Sequence, residues 1–193
     1  GACGENKYDS RIATIRKKVG LGPPFLGNAA TEHGNKYEDV AIELYEKAKN
    51  KKVLAFGLLE SLNENELFLA GSPDGITSDG ILIEVKCPFY RTPNGEVPHI
   101  YQFQIQGLMR MLQLDACDFI EYVPPGTWKN EVLSIVRVQF DPDFWNKYFP
   151  RMQRFWDDVQ DIRLQMQKGT FDEKNSIVKK RVYKKRSIKK VVS

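Results

Sequence analysis

Cysteine and histidine are scarce in this chain, with three Cys and two His among 193 residues. Cys3, Cys87 and Cys117 are odd in number, widely spaced and form no C-x-x-C pair. That argues against a disulfide framework and leaves a thiolate zinc or iron–sulfur site short of ligands. A reducing, intracellular location is expected. No stretch approaches the roughly 20 apolar residues of a membrane helix, so no membrane partner is expected. Gly1 to Tyr8 hold no apolar run of the signal-peptide kind. An opening on Gly1-Ala2-Cys3-Gly4, without Met, suggests a trimmed start with an N-terminal element missing. No G-x-x-x-x-G-K-[ST] occurs, which removes the P-loop nucleotide enzymes. Internal repeats are also absent.

Acidic residues are missing altogether after Glu173, where nine basic residues gather from Lys174 to Lys190. Before them, the other 20 of the 29 basic residues face all 25 acidic ones. A slightly acidic body therefore carries a strongly basic tail. Lys179, Lys180, Arg181, Lys184, Lys185 and Arg186 are its candidate nucleic-acid contacts, because each phosphate neutralised releases counterions. A solvated tail or a nuclear-localisation signal fits the same run equally well. The body, with 41% hydrophobic and 28% charged residues, has the composition of one globular domain. We expect that domain over residues 1–173 and the tail over 174–193.

Periodicity predicts a helix over Ser10–Lys18 and a second over Ala29–Lys49, capped by Asn28 or Thr31. Gly20-Leu-Gly-Pro-Pro separates the two. Strands are predicted over Val53–Leu59, Glu66–Ala70 and Ile81–Lys86, with Asp79-Gly80 as a hairpin turn. A helix over Ile100–Leu112, strands over Asp118–Tyr122 and Val132–Phe140, and a long amphipathic helix over Asp143–Lys168 follow. The order predicts a mixed α/β sheet flanked by helices rather than a repeated βαβ array.

The chemistry concentrates in Ser72-Pro-Asp74-Gly and Glu84-Val-Lys86. Alternation along a strand aims Glu84 and Lys86 to one face, and Ile81, Ile83 and Val85 to the other, into a core. The hairpin can fold Asp74 back beside Glu84. Two carboxylates, the Val85 carbonyl and waters match the hard oxygen ligation of Mg²⁺. Such an ion polarises a phosphodiester and activates water, while Lys86 positions or deprotonates that water. Taken singly, Glu84 and Lys86 read as a solvated ion pair of little worth, and Asp74 as an ordinary turn residue. Context changes that. Glu38, in His33-Gly-Asn-Lys-Tyr37-Glu38, lies beside the stripe of Tyr37, Ala41, Ile42 and Tyr45, where a carboxylate needs a partner. Gln104 interrupts the apolar face of Tyr101, Ile105 and Leu108.

In order and spacing these four blocks resemble the lambda-exonuclease, or YqaJ-type viral recombinase, branch of the PD-(D/E)XK nuclease superfamily. Its helix pattern appears as His33 to Glu38 and its S-P-D-G as Ser72 to Gly75. Its E-(V/L/I)-K-C-P appears as Glu84 to Pro88, and its Y-x-x-Q-x-Q-x-x-M as Tyr101 to Met109. The resemblance covers about residues 29–115. It implies a restriction-endonuclease-like PD-(D/E)XK core, with Asp74, Glu84 and the Val85 carbonyl as metal ligands and Glu38 as ligand or support of a second metal. Lys86 acts on the attacking water, and Gln104 orients that water or Lys86. The cofactor implied is Mg²⁺, with Mn²⁺ as substitute. The activity implied is degradation of one strand of duplex DNA, 5′ to 3′, ahead of a single-strand annealing protein, in some relatives as a trimeric ring. Relatives receive the 5′ phosphate on an early basic helix. Arg11 and Arg16 are the candidates here, without an assigned role.

Two alternatives stand beside the exonuclease. One is an endonuclease on the same fold, acting on DNA or RNA. The other is a non-catalytic nucleic-acid-binding module, against which the intact Asp74, Glu84 and Lys86 speak. If the tail meets DNA, its removal weakens binding and flattens the salt dependence by about 0.9 in log–log slope for each phosphate no longer neutralised. A titration of binding against salt checks this, and an unchanged slope makes the tail irrelevant to DNA.

Overall fold

The computed structural model describes residues 2–5, 9–24, 26–126 and 130–178. The chain divides into two compact units, one of Phe25–Pro150 and one of Gly1–Pro24 with Arg151–Ser193. Tail residues Lys179, Lys180, Arg181, Lys184, Lys185 and Arg186 lie outside the described residues.

In the larger unit, helix α2 (Ala29–Lys49) starts on Asn28, whose side chain accepts a hydrogen bond from the Thr31 N–H, and ends on a left-handed Asn50. Five strands form one sheet: β1 (Val53–Leu54), β4 (Gly75–Thr77), β5 (Leu82–Lys86), β6 (Ala116–Val123) and β7 (Val132–Gln139), in that spatial order. Strands β2 (Leu59–Glu60) and β3 (Ala70–Gly71) pair separately. β4 and β5 are an antiparallel hairpin, and β6 and β7 another. Between them β5 and β6 run parallel, so the chain must cross over, and helix α3 (His99–Leu112) makes the crossing.

The crossover decides what β5 can expose. Ile83 and Val85 pack with Ile120 and Tyr122 against Ala41 and Tyr45 of α2. Leu82 packs with Cys117 and Phe119 against Ile105, Leu108, Met109 and Met111 of α3. Both faces are covered, as in parallel sheets generally. Glu84, on the face covered by α3, is fully buried, so it is no solvated partner of Lys86. One further buried charge ties α2 to the sheet. Asp118 accepts hydrogen bonds from the Tyr45 hydroxyl at 2.7 Å and from Arg137 at 2.5 and 3.0 Å.

Two strand predictions fail in part. Val53–Leu59 yields only Val53–Leu54 to the main sheet, because this edge strand meets a partner three residues long. Gly57 interrupts the run, and Leu59 joins β2 instead. Glu66–Ala70 gives a 3₁₀ turn over Glu64–Glu66, then β3. There Glu66 is 4% exposed and grips Arg110 through three hydrogen bonds of 2.9–3.1 Å. The pair, with Arg110 37% exposed, holds the chain in this turn ahead of Leu67-Phe68-Leu69.

The smaller unit is held by Ile15 and Val19 packing on Phe155, Val159, Ile162 and Val178. The first two lie on or just after helix α1 (Arg11–Lys18), and the next three on helix α4 (Pro142–Gln167), whose first residues belong to the larger unit. Ser10 caps α1 by accepting from the Ala13 N–H. Val178 is buried, so chain assigned to the tail by sequence is packed at least that far. A tail deletion that spares this core begins at Lys179 and still removes eight of the nine basic residues.

Gly75 shows why the S-P-D-G turn ends in glycine. A Cβ there would overlap the Val53 side chain and lie 3.3 Å from the Leu54 carbonyl, so β1 can approach β4 only if residue 75 has no side chain. Gly75→Ala should cost about 1–3 kcal/mol by overpacking. Denaturant melts of the two proteins read this cost, and equal midpoints overturn the close-approach argument.

Candidate active site

The β4–β5 hairpin places the first carboxylate. Gly80 turns it with φ of +81°, the Thr77 hydroxyl donates to Asp79 at 2.7 Å, and the Ile81 N–H donates to the Thr77 oxygen at 2.9 Å. Register then sets Gly75 opposite Ile83, so Asp74 falls beside Glu84. The Val85 N–H donates to Asp74 Oδ2 at 2.6 Å and fixes the carboxylate.

Lys86 closes the group. Its ammonium donates to Glu84 Oε1 and, at 2.8 Å, to the Val85 carbonyl, with Asp74 Oδ2 3.9 Å away. The other Glu84 oxygen accepts from Gln104 Nε2 of α3 at 2.8 Å. Burial pushes the Glu84 carboxyl up to about 7 against the opposing pull of Lys86. Burial also acts to deprotonate Lys86, but Glu84 and Asp74 outweigh it and hold the ammonium above the ordinary lysine range. In this arrangement Lys86 is a cation rather than a base. Half-buried Glu38 is shifted up by burial first and then by Asp74, while Lys86 opposes, so α2 delivers a third carboxylate to the same electrostatic neighbourhood. Neighbouring Cys87 is pushed up to about 11 by burial and is no nucleophile near neutral pH.

Two neighbours of Lys86 have roles that the motifs do not announce. The Tyr101 ring lies 5.6 Å from its ammonium and packs on Phe119 at 5.5 Å. Glu121, 1% exposed, stands opposite Lys86 in the parallel register and holds Arg91. Tyr101 is visible in the sequence as part of a motif. Glu121 is placeable only once β5 and β6 are known to be parallel neighbours. Arg11 and Arg16 belong to the other compact unit. Arg11 pairs with Asp158 at 2.5 Å. Arg16 donates to Glu173, to the Val178 carbonyl at 2.8 Å and to the Leu21 carbonyl at 3.0 Å. With its side chain 13% exposed, Arg16 staples that unit together.

Among the described residues no three His, Cys, Asp or Glu side chains form a ready metal cage. The donor chemistry nonetheless suits a hard cation. Asp74, Glu84 and the Val85 carbonyl aim oxygens at one ammonium, and an ion that keeps several waters needs only one or two protein carboxylates.

The YqaJ-like viral recombinase domain model matches residues 1–112, more than half of the chain. The chain belongs to this family. An uncharacterised protein of Acanthamoeba polyphaga mimivirus, R354, is 35% identical to this YqaJ-like chain over 135 residues, 61% of the chain. The chain spans 24% of that relative's length. The fold matches an alkaline exonuclease, LHK-Exo of Laribacter hongkongensis, with a TM-score of 0.70 at 22% identity, over 87% of this chain and 89% of that one. A phage-related exonuclease from Haemophilus somnus 129PT matches with a TM-score of 0.58 at 17% identity, over 84% and 90%. The mixed sheet flanked by helices, expected from the sequence, is thus the fold of these two solved structures.

The raised Glu84 value has a thermodynamic consequence. The folded protein keeps a proton that the unfolded chain releases at its ordinary value of 4.5, so the Glu84 contribution to metal-free stability falls as pH rises from 4.5 to about 7. Glu84→Gln lacks that titration. Wild-type Tm minus Glu84→Gln Tm, measured in EDTA, should decline across this window, and a constant difference removes the assigned shift.

Proposed function

We propose that this YqaJ-like domain is a metal-dependent DNA exonuclease that hydrolyses phosphodiester bonds of duplex DNA from an end, 5′ to 3′. The observation that carries the reading is the convergence of Asp74, Glu84 and the Val85 carbonyl on Lys86, with Gln104 holding the far oxygen of Glu84. The exonuclease names of the structural neighbours support it, and one structure of LHK-Exo is a complex with dAMP.

In this reading Asp74, Glu84 and the Val85 carbonyl hold Mg²⁺ or Mn²⁺, and Glu38 ligates or supports a second ion. The ion supplies Lewis acidity toward the phosphoryl oxygen and lowers the pKa of bound water. The chain's own groups do the positioning. The Val85 N–H keeps one Asp74 oxygen in place, and Gln104 keeps Glu84 from rotating. Lys86, held as an ammonium, offsets charge on the phosphate and orients the attacking water. The Tyr101 ring restricts where that ammonium can move. The same reading extends to an intracellular enzyme, with a single-strand annealing protein and a ring of like subunits as partners. No helix among the described residues is long and apolar enough to cross a membrane.

Digestion of linear and closed-circular duplex DNA, each with Mg²⁺ and with EDTA, tests the proposal. Linear DNA alone should be lost, and only with metal. Lys86→Ala should lower the rate by about 10²–10⁴-fold. Asp74→Asn, which keeps an acceptor for the Val85 N–H but loses the charge, should abolish cleavage without unfolding the protein. Cutting of circles would favour the endonuclease, and no metal-dependent cutting of either would leave a binding module.

A further inference from the structure

The loop that leaves β5 carries two aromatic rings that the chemistry above does not use. Phe89 is 42% exposed and Tyr90 is 84% exposed. They meet edge to face, with centroids 4.8 Å apart. Behind them Phe89 meets the His33 ring of α2 at 5.0 Å, and His33 in turn meets Tyr37 at 4.8 Å. Tyr37 continues to Tyr122 of β6 at 6.3 Å. The outermost ring is thus presented to solvent on a buttress of four aromatic side chains rooted in the core.

Position says what such a ring would meet. Tyr90 follows Lys86 by four residues, a reach of at most about 14 Å. That corresponds to about four nucleotides stacked at roughly 3.4 Å each. Lys86 and Arg91 flank the rings in sequence, each already paired with a buried carboxylate, Glu84 and Glu121. A ligand with a flat face suits the exposed Tyr90 ring, and every nucleobase has such a face.

We infer that Tyr90, backed by Phe89, is a nucleobase-stacking site that grips the DNA strand within a few nucleotides of the bond being cut. The inference rests on the nuclease reading for its substrate. Phe89 fixes the angle of the Tyr90 ring, and Tyr90 supplies the free face. Stacking of this kind tolerates any base, so it confers grip and register without sequence preference.

The test uses the full chain, linear duplex DNA with 2-aminopurine near one end, and Tyr90→Ala, Tyr90→Phe and Tyr90→Leu. Tyr90 is too exposed for these changes to threaten folding. In EDTA, wild type and Tyr90→Phe should quench 2-aminopurine at one or two positions, and Tyr90→Ala and Tyr90→Leu should not. With Mg²⁺, Tyr90→Ala should raise KM about tenfold while Tyr90→Phe restores it. Equal quenching and equal KM in Tyr90→Ala overturn the stacking site and leave the nuclease standing. Quenching lost in Tyr90→Ala, from a wild type that binds but never cuts, supports the stacking site and overturns the nuclease. A wild type that binds no DNA overturns both.

Discussion

A carboxylate buried on a strand with no open face is the constraint from which the rest of the site follows. Glu84 sits between a parallel neighbour, β6, and the crossover helix α3, and water cannot reach it. An ionised carboxylate in such a place needs partners or a proton. The fold supplies both partners from fixed directions: Lys86 two residues along the same strand face, and Gln104 from the helix above. Each partner is in turn held. The Val85 carbonyl and the Tyr101 ring confine Lys86, and α3 is anchored by Ile105, Leu108 and Met109 in the core beneath it. Loss of the parallel pairing would expose Glu84, and the pressure that gathers these groups would vanish.

The local parts of this arrangement were legible in the sequence, and the non-local parts were not. Helix α2 falls where its periodicity predicted, and of the two candidate caps, Asn28 and Thr31, Asn28 is the one used. The Asp79-Gly80 turn formed, and alternation put Glu84 and Lys86 on one face. These features depend on residues within a turn or two of one another. The burial of Glu84 depends on β6, more than thirty residues away, and sequence alone could not say that the two strands run parallel. The same blindness hid Glu121. It also made Arg16 look available, because its acceptors, Glu173 and the Val178 carbonyl, come from the far end of the chain. In the β1–β3 region local apolarity misled in part, since the Glu66–Arg110 pair joins residues 44 apart in sequence.

The glycine of the S-P-D-G block illustrates how a motif can owe its residues to different demands. Asp74 is there for its oxygens, one of which the Val85 N–H holds in place. Gly75 is there because β1 leaves no room for a Cβ. The two requirements meet because the turn must bring a carboxylate next to β5 while its backbone becomes the partner of an edge strand. A scan for acidic residues finds the first demand and is blind to the second.

Charge in this corner also argues for what the site takes. Glu38, Asp74 and Glu84 bring three carboxylates against the single ammonium of Lys86. Solvent screens the imbalance poorly, because Glu84 is fully buried and Asp74 and Lys86 are only 18% and 25% exposed. Burial first, and the neighbouring carboxylates after it, raise the proton affinities of Glu38 and Glu84. A divalent cation would relieve the same imbalance without protons and leave both carboxylates ionised. Lys86 would then be released from balancing Glu84 to face a phosphate. The raised proton affinities and the proposed chemistry thus meet in one place, where the fold buries carboxylates together and leaves them short of positive charge.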